Sequence, residues 1–160
     1  MKRWLDYLKA SGVHYSWSMH PAAATAIETA QADKVPLHDF AKVVVYFCET
    51  GFGMAVVPAD KLLDLCEVGY LLGVSYIRFA REAELPELFP DCELGAMPPF
   101  GDVFRMPVLV DSGVAEQESI VFNIGTHTDA VRMAFKDYQK LVNPLIGSIT
   151  VRDAALAAAK

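Results

Sequence analysis

Two apolar runs, Val43-Val44-Val45-Tyr46-Phe47-Cys48 and Met54-Ala55-Val56-Val57, constrain the fold of this chain more than any other feature. Both are built from β-branched, aromatic and small apolar residues, which suit an extended and well-packed backbone. Glu49-Thr50-Gly51-Phe52-Gly53 lies between them and carries two glycines, so the pair reads as a hairpin with a longer loop and as central strands of a sheet.

The segments around this hairpin read mostly as helices and shorter strands. Trp4, Leu5 and Leu8 share one helical stripe over 2–11, closed by Gly12. Thr25-Ala-Ile-Glu28 has the spacing of a capping box, which predicts a helix over 26–32, and Pro36 ends that region. Asp64 followed by Glu67 repeats the signal ahead of Leu65, Val68, Leu71 and Leu72, giving a helix over 65–72 that stops at Gly73. A strand is expected at 75–79. A helix is expected at 81–89, where Glu82 and Glu84 suit the positive end of the helix dipole and Pro86 shortens or shifts it. Val108–Val110 and Ile120–Phe122 read as further strands, and Phe135, Tyr138, Leu141 and Val142 line one face of a last helix. The sum is a single α/β (α+β) domain with a mixed central β-sheet and surrounding helices. Its expected span is 1–144, with 145–160 a C-terminal extension whose Ala-rich end is a helix former.

Composition excludes several function classes. With 53% hydrophobic residues in 160, the chain has enough apolar side chain for one well-filled core. No apolar stretch approaches the roughly 18 residues a membrane span needs. Asp6 and Lys9 fall where the apolar middle of a signal peptide would lie, so a cytoplasmic address is expected. Cys48, Cys66 and Cys92 are an odd count without CxxC spacing and read as reduced, packed thiols. The net charge of −6 argues against a protein that coats duplexes, and no DNA partner is expected. A pocket that takes only the single-stranded end of an RNA needs few positive groups. His14, His20 and His38 form no HxxxH or HExxH group, so neither a metal site nor a cofactor is expected. A GxSxG elbow, a P-loop and a GxGxxG turn are all missing from the sequence.

Three places carry groups suited to chemistry. Lys42 heads the first long strand; it reads either as a solvated strand-end lysine or as a point charge for a phosphate or developing oxyanion. Gly95-Ala96-Met97-Pro98-Pro99-Phe100-Gly101 is either a rigid turn or a loop that holds main-chain groups against a ligand. Asn123-Ile124-Gly125-Thr126-His127-Thr128 follows a strand. Its imidazole, with an ordinary pKa of about 6.5, is either structural or able to orient water or substrate.

In chain order, these pieces and several others resemble the YbaK / prolyl-tRNA-synthetase-associated editing family. His20-Pro21 followed by Thr25-Ala-Ile-Glu28-Thr29-Ala30 resembles its opening motif, and Val35-Pro36 with Ala41-Lys42-Val43-Val44 its VP…AK strand. Val56-Val57-Pro58-Ala59-Asp60 with Asp64-Leu65 is similar to its VPAD…DL stretch. Gly95 to Pro99 matches the GxxxP loop, and Val121 to Thr128 the late strand and SHT segment. The resemblance runs from about Leu8 to Pro144 and departs at Val43, where the alanine-specific branch acting on prolyl-tRNA commonly carries Asn.

The resemblance implies a hydrolase, an aminoacyl-tRNA deacylase that edits mischarged tRNA carrying a small amino acid. It acts in trans on the aminoacylated 3′ end, with a synthetase or elongation factor as a helper. Lys42, Gly95 and His127 would be catalytic; Ala96, Met97, Pro98, Pro99, Asn123, Gly125 and Thr126 would bind substrate. The attacking group would be a water or a substrate hydroxyl, with no protein nucleophile. The alternative is a non-catalytic module that binds a tRNA end, a nucleotide or an amino-acid derivative and signals to a partner.

Overall fold

The structure, a computed structural model, describes residues 2–151 except Ala22, Ala24 and Asp33. The first helix, α1 (Lys2–Ser11), buries Trp4 and Leu8 and ends where Gly12 takes a positive φ. Strand β1 (Tyr15–Met19) follows, and then α2 (Ala26–Ala32), whose start is capped as its spacing predicts: the Thr25 hydroxyl accepts the Glu28 amide at 3.1 Å.

The hairpin forms as β2 (Ala41–Cys48) and β3 (Gly51–Pro58), paired antiparallel from Ala41↔Pro58 to Cys48↔Gly51. Its turn is only Glu49–Thr50, tighter than the expected 49–53 loop, because Gly53 lies within the strand. The ring of Tyr46 covers Gly53 from the opposite strand, and a Cβ there would collide with it.

Helix α3 (Leu65–Leu72) has Asp64 as its N-cap, accepting from the Cys66 and Glu67 amides, and a left-handed Gly73 as its stop. Strand β4 (Ile77–Phe79) is shorter than expected. The expected 81–89 helix is a 3₁₀ turn over Glu82–Glu84 followed by α4 (Leu85–Leu88), with Pro86 in the first turn, where its missing amide costs nothing.

The chain continues through α5 (Gly101–Phe104), β5 (Val108–Asp111), α6 (Ser112–Ala115), β6 (Ser119–Asn123), β7 (Asp129–Ala134), α7 (Phe135–Val142) and β8 (Leu145–Gly147). β5, β6 and α7 stand where the sequence places them; β1 and β7 are strands beyond those expected.

Five strands form a mixed sheet in the order β4-β2-β3-β5-β8, antiparallel on the β2 side and parallel at β3–β5 and β5–β8. A second, three-stranded antiparallel sheet, β1-β7-β6, lies beside it. The two meet at a parallel bridge between Phe40 and Val121, where the Val121 amide donates to Asp39 O at 3.1 Å.

β2 alternates between two cores. Ala41, Val43 and Val45 face the larger one with Trp4, Met97, Phe100 and Tyr138, while Val44, Tyr46 and Cys48 face the one under α3 with Val68 and Ile149.

Two expectations need correction. The chain after Pro144 does not begin an appendage: β8 pairs with β5, the Ile149 amide donates to the buried Asp111 carboxylate at 3.0 Å, and the Val151 amide to Leu62 O at 2.8 Å. Leu145 and Ile146 are strand formers, and Asn143 in a left-handed conformation turns them back onto the sheet. The helix expected further on lies at 152–160, outside the described residues. Of the three thiols, Cys48 is buried and Cys92 half-buried, but Cys66 is exposed, since α3 turns Val68 and not Cys66 into the core.

Candidate active site

β2 is covered by β3 along its whole length on one side but only at its two ends on the other. At the start the cover is β6, through the Phe40–Val121 bridge; from Tyr46 onward it is β4. The Val45 carbonyl accepts the Ala80 amide at 2.9 Å, which fixes the side that odd-numbered residues of β2 present. Between the two covers, the main chain of Val43 therefore faces a gap with no strand beside it among the described residues. A recess of about 240 Å³ occupies this gap, walled by Val43 to Val45, by Phe79 and Ala80, by Leu85, and by Gly95 and Met97.

The 95–99 loop is held from three directions. Gly95 has φ +85°, and the Ala96 amide closes a turn onto Glu93 O at 3.0 Å. The Gly125 amide donates to Ala96 O at 2.8 Å while the Glu93 amide donates to Gly125 O at 2.9 Å, so the two glycine turns clasp each other. The buried Tyr138 hydroxyl donates to Pro99 O at 2.7 Å, and burial raises its pKa above the usual tyrosine range. Ala96, Pro98 and Pro99 are buried and stiffen the loop from behind, leaving Gly95 and Met97 to line the recess.

The turn that carries His127 is organised by Asp129, a residue the sequence analysis passes over. Its buried carboxylate accepts from the Thr126 hydroxyl, from the Thr128 hydroxyl at 3.0 Å and from the Trp17 indole at 2.8 Å. Burial by itself would raise the Asp129 pKa, but these hydrogen bonds and the nearby His20 together hold it below the ordinary carboxylate value. The Thr126 hydroxyl is thereby committed to the turn itself. The alternation Thr126-His127-Thr128-Asp129 is the signal that reveals this, since hydroxyls flanking a carboxylate by one and three residues favour local turns.

His20 joins the same structure: its amide donates to Thr128 O at 2.8 Å, and its Nδ1 donates to Pro21 O at 2.9 Å. Among the described residues, five buried side-chain polar atoms have no hydrogen-bond partner. Three of them, His20 Nε2, Asn123 Oδ1 and His127 Nδ1, gather at this end of the β6–β7 hairpin. Such atoms are rare in protein interiors.

Lys42 stands on the opposite face of β2. Its ammonium donates to Ala59 O at 3.3 Å and edges a recess of about 420 Å³ with Val44, Leu62, Leu63, Phe79 and Val151. Desolvation pulls its pKa below the ordinary lysine value, an effect Asp60 partly offsets. This recess and the one at Gly95 share Val44 and Phe79, so they adjoin at the β2–β4 edge. Of the three stretches expected to converge, the 95–99 and 123–128 loops are joined directly. Lys42 does not join them: its ammonium lies on the other face of β2 in a separate recess that shares only Val44 and Phe79 with the one at Gly95, and His127 lines neither recess.

Two clasped glycine turns beside an open strand edge form the candidate site, with the desolvated Lys42 in an adjoining recess on the other face of β2. Sequence comparison gives the chain its family: the profile described as "Aminoacyl-tRNA editing domain" matches residues 20–141, and the chain belongs to that family. Among solved structures, a candidate trans-editing enzyme for prolyl tRNA synthetase superposes with TM-score 0.84 at 25% identity, over 94% of this chain and 96% of that one. The hypothetical protein APE2540 superposes with TM-score 0.83 at 19% identity, over 92% and 98%. A longer signal-transduction candidate from Marinobacter aquaeolei VT8 contains the same fold, with TM-score 0.72 at 18% identity over 94% of this chain and 31% of that one. No curated protein matches the chain.

Proposed function

We propose that this chain is an aminoacyl-tRNA deacylase that acts in trans, in the cytoplasm, on the ester of a mischarged tRNA carrying a small amino acid. The observation that carries the reading is the clasp between the Gly95 and Gly125 turns at the open edge of β2, adjoining the recess of Lys42. An aminoacyl ester is already activated, so positioning and charge stabilisation are sufficient sources of rate. Lys42, Gly95 and His127 are the residues to which we assign that work. The Lys42 recess would take the terminal nucleotide, with the ammonium on its phosphate or on the ester carbonyl.

Met97, Asn123 and Gly125 would form the acyl side of the site, with Ala96, Pro98 and Pro99 behind the Gly95 turn and Thr126 holding the His127 turn. The side chains around the Gly95 recess include no nucleophile, and burial pushes the Cys92 thiol up to about 11, out of reach of a neutral-pH thiolate. The attacking group is then a water or a hydroxyl of the substrate. Such a second hydrolytic site compensates for a synthetase that cannot exclude a slightly smaller amino acid by size alone.

Purified protein incubated with a panel of mischarged tRNAs tests this. Hydrolysis of at least one, lost in Lys42→Ala, is the expected result. Tight binding of a non-hydrolysable aminoacyl-adenosine with no turnover of any charged tRNA would assign the chain instead to the non-catalytic binding modules. The net charge of −6 makes the encounter weak and dependent on few phosphate contacts, so the rate should fall as salt rises, and a helper such as a synthetase or elongation factor should raise it.

A further inference from the structure

One face of the three-stranded sheet is divided between two environments. Toward the His127 turn its side chains, Val121 and Ala130, are sealed under Ala30, Phe40 and Ala59. At the opposite end the same face is open. There Ser16 stands directly across from Arg132, whose guanidinium donates to the Ser119 hydroxyl at 2.9 Å. A recess of about 450 Å³ spans these three strand ends. Past Glu118 and Ala134 it continues into a second, of about 390 Å³, beside the start of α7, where Gln117, Lys136 and Gln139 join the lining. Among the described residues, neither Arg132 nor Lys136 makes an ion pair, in contrast to Arg3 with Asp91 and Arg78 with Glu84. Both are exposed, as is Glu118, the single carboxylate of the lining.

Resting for its partner on the deacylase reading above, we propose that this groove holds the sugar-phosphate backbone of the tRNA acceptor stem. Ser16, Gln117, Ser119, Arg132, Lys136 and Gln139 are of the side-chain types that contact phosphates and sugars. The apolar residues of the lining are turned inward: Met133 and Phe135 are buried, and Tyr15 packs against the core. The groove thus lacks the exposed aromatic anchors on which a protein partner settles. Charge points the same way. A chain of net charge −6 repels a polyanion overall, so attachment depends on places where cations outnumber carboxylates. In the groove Arg132 and Lys136 outweigh Glu118, and a protonated His14 would add to them. The position also suits a stem. β7 runs from Asp129 to Ala134, roughly 17 Å of strand, and the clasp of Gly95 and Gly125 lies beyond its far end. A duplex end seated in the groove leaves its single-stranded 3′ tail the length of the β6–β7 hairpin in which to reach that clasp.

The test is binding of an uncharged hairpin RNA that copies an acceptor stem with its CCA end, measured at several salt concentrations. The full chain is compared with a variant carrying Arg132→Gln and Lys136→Gln, both at exposed positions. Affinity should fall in the variant, and the slope of log K against log salt should flatten by roughly 0.7–0.9 for each cation removed. With charged tRNA the variant should show a raised KM and little change in kcat, and with an aminoacyl-adenosine, which has no stem, no such rise. Unchanged affinity and slope, a wild type that does not bind the hairpin, or an equal loss on both substrates would overturn the groove while leaving the deacylase reading intact. A wild type that binds the hairpin through Arg132 and Lys136 yet hydrolyses no charged tRNA would sink the deacylase reading and keep the groove as an RNA contact.

Discussion

The two sheets of this domain divide the site unequally. The five-stranded sheet contributes an apolar wall and one desolvated cation, Lys42, with its polar main-chain groups almost entirely engaged in the ladder. The three-stranded sheet contributes a polar cluster: Asp129 with its three side-chain donors, and the unpartnered atoms of His20, Asn123 and His127. One half is shaped by packing and the other by hydrogen bonds, and they touch at the clasp between Gly95 and Gly125. The first can afford chemical uniformity because hydrophobic burial is non-directional. The second cannot, because each of its polar atoms is costly if misplaced.

Breaking one half at a time separates the two contributions. The largest effect is expected from Lys42→Ala, with deacylation lowered about 10²–10³-fold, the typical cost of removing one electrostatic stabiliser from a transition state. Since desolvation lowers its pKa, the wild-type rate should decline on the alkaline side before the ordinary lysine value of about 10.4 is reached, and Lys42→Arg should abolish that decline.

Next comes the polar half. Asp129→Ala leaves three donors unpaired and should destabilise the protein by about 2–3 kcal/mol in denaturant unfolding. Asp129 has a depressed folded pKa, so its stabilisation is complete above its unfolded value of about 3.9 and is lost as pH falls through the folded one. Asp129→Asn should therefore flatten the acid limb of the stability profile.

Tyr138→Phe keeps the ring but removes the donor to Pro99 O. A loss of about 1–2 kcal/mol, with kcat more affected than KM, would show that the clasp depends on support from α7. The smallest effect should come from Thr25→Ala, about 1 kcal/mol from the lost α2 cap and no change in substrate preference.

Legibility in the sequence follows the same division. The hairpin, α1, α2, α3, α7 and the strands β5 and β6 were readable because their apolar residues repeat at helical or strand spacing, or run unbroken. β1 and β7 were not: in Tyr15-Ser16-Trp17-Ser18-Met19 both Trp17 and Met19 are exposed, and Trp17 is held by Asp129 from the far end of the chain, which local pattern does not register. Lys42, Gly95 and His127 stood out because each residue type is unusual in its setting. Asp129 and the roles of His20 and Tyr138 did not, because their partners are Trp17, Thr128 and Pro99, all three more than thirty positions away.

By itself, then, the amino-acid sequence determined which segments extend, which coil, and the family to which their order belongs. Only the tertiary structure decided that the mixed sheet has a smaller companion, that β2 is left uncovered at Val43, and that Lys42 and Met97 occupy neighbouring recesses rather than one. The physical reason is range. Periodicity and capping act over a turn or two of chain, whereas an open strand edge is the outcome of where β4 and β6, separated by some forty residues, stop pairing with the same strand.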